Sequence, residues 1–174
     1  MIRKFGAVAA AMLLSASAPA LSHDAAINDA QIAHVAYTAG QIDVDAGRQA
    51  LERSRNADVR AFAETMVRDH AAVNQQALAL VQRLNVTPEA NPTSAALTTQ
   101  AADAHRRLGA LQGAAFDRAY VQNEVAYHRA VNDALRATLI PSAHNAELKS
   151  LLEAGLALFS AHQEHAELLA RQLR

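Results

Sequence analysis

The sequence predicts an all-α fold, specifically an antiparallel bundle of four long helices. Three observations carry that expectation. Apolar residues recur at helical spacing through most of the chain, with almost no β-branched runs. Breaks fall at Ser54-Arg55-Asn56, at 85–94 with its two prolines, at Gly109–Gly113 and at Ile140-Pro141-Ser142. Four of the segments so delimited have matched lengths, which makes an antiparallel bundle the default packing. The chain of 174 residues, 51 % hydrophobic, suffices for one compact domain. With only 4 % aromatic residues and no Trp, its core has to be built from Ala, Leu and Val.

The first element is an address. Arg3 and Lys4 precede an apolar run, Phe5 to Leu14, and then small residues from Ser15 to Ser22. This pattern predicts a secretory signal peptide over residues 1–22, too short in its apolar part for a membrane helix. Cleavage after Ala20 or after Ser22 fits the small-x-small rule. The remaining single domain, 23–174, carries 14 Lys and Arg against 17 Asp and Glu, a net charge of −3. That balance argues against nucleic-acid binding, which needs clustered basic residues. Zero cysteine excludes disulfides, thiolate metal sites and a cysteine nucleophile. No later segment offers the roughly 18 uncharged apolar residues of a spanning helix. The expected location is therefore periplasmic or secreted, and a homo-oligomer is left open.

Helices are expected at about 29–54, 57–84, 95–110, 114–139 and 145–172. The long ones run to roughly 40 Å at 1.5 Å per residue. The shorter, more polar 95–110 lies in the connection from 85 to 113, which is long enough to cross the bundle.

Placing residues at 100° intervals exposes polar groups on apolar faces. In the first helix Asp43 borders the stripe of Val35, Ala39, Ile42 and Ala46. In the second, His70 falls in the stripe of Val59, Phe62, Met66 and Val73, with Asp69 on its flank. In the fourth segment Asp117, Glu124 and His128 share the face of Val121, Val125 and Leu135. In the last, His162 lies among Leu152, Phe159, Ala166 and Leu169. Charges on an apolar face cost several kcal/mol unless paired or metal-bound. Most of these residues sit near mid-helix, where four antiparallel helices meet at one level. The sequence thus predicts a buried cluster of Asp43, His70, Glu124, His128 and His162, with Asp69 and Asp117 around it.

The stretch Phe62-Ala-Glu-Thr-Met66-Val-Arg-Asp69-His70, the segment Phe116-Asp117-Arg-Ala-Tyr120-Val121, and the later His128 and His162 resemble a bacterial family catalogued as domain of unknown function 4142. The resemblance spans most of residues 28–172. It implies a ferritin-like bundle with an additional short helix in the crossover connection, and export to the cell envelope. The glutamate common in the family after the first helix's glycine is here the shorter Asp43.

Two uses of the cluster stand open at this point. Buried His and carboxylates can form a structural network that fixes helix register. They can also bind one Zn, Mn or Fe ion, since three His with one or two carboxylates suit these metals better than Ca or Mg. A carboxylate-rich two-metal centre lacks support, because the chain contains no Glu-x-x-His. A third reading is a surface interaction module of envelope stress or adhesion, using Arg48, Arg53 and Arg55 or Arg106 and Arg107. No motif supports an enzymatic activity.

Overall fold

A computed structural model describes residues 27–173. The expected signal peptide and its cleavage sites lie outside the described residues. All regular structure among the described residues is helical: α1 (Asp29–Arg53), α2 (Ala57–Arg83), α3 (Pro92–Gly109), α4 (Gly113–Ala134), α5 (Ile140–Ser142) and α6 (Ala146–Gln172). A π-helical turn, Leu135–Leu139, joins α4 to α5.

Asparagine starts four of these helices. Asn28, Asn56, Asn91 and Asn145 each sit in extended backbone and accept hydrogen bonds from the first turn's free N–H groups, an arrangement worth about 1 kcal/mol per helix. At the other end of α2, Asn85 adopts the left-handed conformation, and the Val86 amide reaches back to the Val81 carbonyl. This left-handed stop ends the helix before the proline-rich break.

Two expectations need correcting here. The crossover helix begins at Pro92 rather than near 95, because Asn91 and Ser94 form a reciprocal cap and proline fits the first helical turn. The stretch 114–139 is not α-helical throughout; its last residues widen into the π turn.

Hydrogen bonds between elements give the direction of each helix. Glu89 N–H donates to the Ala30 carbonyl and Asn91 Nδ2 to that of Gln31, at the start of α1. Gln49 Nε2 donates to the His105 carbonyl, and Arg53 to those of Gly109 and Leu111, at its end. α3 therefore runs parallel to α1 and carries the chain back across the bundle. α4 starts beside the end of α1, where Ser54 Oγ donates to Asp117, and passes its middle, where Tyr127 Oη donates to the Ala39 carbonyl. α6 starts where Asp29 accepts from the amides of His144 and Asn145. Around the ring α1, α2, α6, α4, every neighbour is antiparallel.

α1 lies close against α2. A β-carbon at Gly47 would stand 2.8 Å from a Val67 methyl and 3.1 Å from the Ala63 carbonyl oxygen, so this approach requires glycine.

The core divides in two. One half gathers Val59, Phe62, Met66, Phe116, Tyr120 and Val121. The other gathers Ile32, Leu80, Leu135, Leu139, Leu148 and Leu152. Along α1, α2, α4 and α6 alike, the predicted polar residues other than Asp117 fall between these two halves.

Candidate metal centre

Each of the four ring helices contributes to the centre. α1 supplies Asp43, α2 His70, α4 Glu124 and His128, and α6 His162. All five side chains are buried, none above 4 % exposure. The three imidazole rings form a near-equilateral set, with centroids 5.3, 5.5 and 5.6 Å apart. His70 Nε2 lies 3.2 Å from Asp43 Oδ2, and His128 Nε2 lies 3.5 Å from the same oxygen. Two donor triads share His128: His70, His128 and His162, and Asp43, Glu124 and His128, with ligand atoms within 4.8 Å of one another in each.

These side chains point toward a common region rather than at each other. Neither oxygen of Asp43 or Glu124 has a hydrogen-bond partner, nor does either nitrogen of His70. The 3.2 Å approach of His70 to Asp43 is close but misaligned for a hydrogen bond. Orphaned buried polar atoms are rare in folded proteins, because each carries its full desolvation cost. Here they converge in one place.

Two histidines have their tautomers set from outside. His128 Nδ1 stands 3.0 Å from the Glu124 backbone carbonyl, which can only accept, so Nδ1 carries the proton and Nε2 is bare. His162 Nε2 stands 3.0 Å from Asp69 Oδ2. The Arg68 guanidinium beside Asp69 holds that carboxyl below the usual range, so Asp69 accepts and His162 Nδ1 is bare. Both bare nitrogens are buried and unpartnered. A carboxylate behind a ligating histidine is the usual means of fixing its ring. Phe159 stacks on His70 at 4.5 Å and 9°.

Burial dominates the electrostatics. It pushes His70 down to about 2 and His128 to about 4, and lowers His162 despite Asp69. All three are thus neutral imidazoles near pH 7, as ligation requires. Burial, then the neighbouring Glu124, raises Asp43 well above the ordinary carboxylate range. Glu124 is itself pushed up to about 7 by burial. The pair keeps protons at neutral pH that exposed carboxylates lose.

Asp43 stands deeper than its place at the edge of the stripe suggested; it is 1 % exposed and central. Asp69 lies on the flank as expected and acts through His162. Asp117 does not reach the cluster as an outer partner; it accepts from Ser54 Oγ and ties the end of α1 to α4. Three of the five basic residues have local partners. Arg53 caps the end of α3 and sits over Phe116, while Arg48 pairs with Asp45 and Arg106 with Asp103.

Sequence reasoning missed Asn74 and Asn132, both buried with an unpartnered side-chain atom. Asn74 lies one turn after His70 and Asn132 one turn after His128. An i, i+4 scan from each buried histidine would have found both.

Fold and site together define a class: an all-helical bundle with a buried His and carboxylate centre. The chain belongs to the family of the domain of unknown function DUF4142, whose profile matches residues 12–169. Among curated proteins, none matches. A crystal structure from Streptomyces coelicolor, described as a secreted DUF305 protein, shares the fold with a TM-score of 0.62. It is 14 % identical, and the alignment covers 82 % of this chain and 87 % of that one. No helix among the described residues is long and apolar enough to cross a membrane.

Proposed function

We propose that this protein is an exported binding protein for one transition-metal ion, Zn, Mn or Fe, held in the middle of its helical bundle. The observation that carries this reading is the convergence of unpartnered, buried donor atoms from four helices. In a tetrahedral site with bonds of about 2.0–2.1 Å, ligand atoms stand roughly 3.3–3.4 Å apart. The two approaches to Asp43 Oδ2, 3.2 and 3.5 Å, bracket that spacing. His70, His128 and His162 would supply three nitrogens, and Asp43 and Glu124, which group with His128, the carboxylate oxygen.

Export rests on the N-terminal pattern of residues 1–22 and accords with the description of the Streptomyces neighbour as secreted. Entry of the metal would then follow secretion, in the periplasm or outside the cell.

The test uses untagged, metal-stripped protein titrated with zinc and read by native mass spectrometry. The expected result is one ion per chain, lost in His70→Ala/His128→Ala protein that keeps its helical circular dichroism. A native protein that takes up no ion, or a double variant that retains it, overturns the proposal.

A further inference from the structure

On one side of the centre, toward the start of α1, the bundle contains a cavity of about 50 Å³. Small residues on three helices hollow it out: Ala36 and Gly40 on α1, Ala77 on α2 and Gly155 on α6. Bulk at two of them would disturb the centre directly. A side chain at Gly40 would collide with the amide of Asn74, and a β-carbon at Gly155 would press on the Phe159 ring that stacks on His70. The remaining wall is mainly aliphatic, with the rings of Tyr127 and Phe159, and includes Leu135 and Leu139, the two ends of the π turn. Such turns often mark functional sites.

Polar character in the cavity is confined to one end. His70 forms part of its lining, and so does Asn74, only 6 % exposed, whose amide Nδ2 donates to nothing. A trapped water needs two to four polar partners, and an apolar cavity stays dry. The volume is about a third of the ~150 Å³ in which an engineered apolar cavity takes up benzene or xenon. An aromatic ring is therefore too large for this one.

We infer that this chamber is a binding site for a small, largely apolar molecule of about two to four heavy atoms that carries one acceptor atom, held against His70 with the Asn74 amide as its single hydrogen-bond donor. Occupancy of the chamber does not depend on the metal reading, and it is tested on metal-free protein.

Xenon is the probe. Titrated into the metal-free full chain and followed by xenon NMR, it should give a saturable shift from one site. Ala77→Val, which adds two carbons to the cavity wall, should abolish that shift and raise Tm. Ala36→Val fills the space from the facing helix and should do the same, which covers the case in which one variant misfolds. A native protein without saturable xenon binding overturns the inference. So does binding that persists in both filled variants, which would place xenon elsewhere.

Discussion

At the scale of single residues, the centre depends on side chains that never touch its middle. Asp69 is the clearest. It takes the proton of His162 Nε2 into a hydrogen bond and leaves Nδ1 facing inward, while Arg68 anchors the carboxylate from outside. Removing such a partner typically lowers metal affinity about 10- to 100-fold. Asp69→Ala should therefore weaken zinc binding by a factor in that range in a chelator competition, with helical content unchanged. Equal affinity in the two proteins would show that His162 needs no outer partner. The histidines were legible in the sequence because each interrupts an apolar stripe. Asp43 was less so, since angular position alone puts it at an edge, and only the close approach of α1 and α2 turns that edge inward. Asp117 shares the angular position of Glu124 but lies about two turns earlier along α4, level with Ser54, so it stands outside the layer.

At the scale of elements, the joint between α1 and α2 sets the level at which Asp43 meets His70. Gly47 lets the two backbones approach, and a larger residue there meets Val67 and the Ala63 carbonyl. Gly47→Leu should cost about 2 kcal/mol or more, since overpacking strains neighbours as well as itself. Urea denaturation measures it, and an unchanged midpoint would contradict the tight joint. The breaks between helices were readable from Pro, Gly and Asn, and the asparagine caps account for where each helix begins. The π turn was not read, because residues 114–139 keep one apolar periodicity. Its local signal is Pro141, which has no N–H for the Ala137 carbonyl; just before it, Ile140 N–H bonds five residues back to Leu135.

At the scale of the whole molecule, two apolar half-cores enclose one polar layer, and that layer makes stability depend on pH in a particular way. In metal-free protein His70 and His128 titrate near 2 and 4 in the fold, against 6.5 when unfolded. Below pH 6.5 the unfolded chain takes up protons that the fold refuses, so both histidines cost stability as pH falls. Glu124 works in the opposite sense. It titrates near 7 in the fold and 4.5 unfolded, so the fold gains from it as pH falls through that window. The raised Asp43 adds to this gain. The opposed effects offset between about pH 7 and 5. The Glu124 gain is complete below about 4.5 and that of Asp43 below 3.8, while the cost of His70 continues toward 2. Urea midpoints of the metal-free protein should thus vary little from pH 7 to 5 and fall from about 4 toward 2. A steep loss centred on 6.5 would mean that the histidines are not held neutral against burial-shifted carboxylates.

The most direct test of the centre is X-ray absorption at the zinc edge on full-length protein carrying one equivalent of the ion. The expected spectrum has a first shell of nitrogen and oxygen at about 2.0–2.1 Å, with the multiple-scattering signature of three imidazoles. A first shell of oxygen alone, with no imidazole scattering, would place the ion on surface carboxylates and contradict a metal site at the level of His70, His128 and His162.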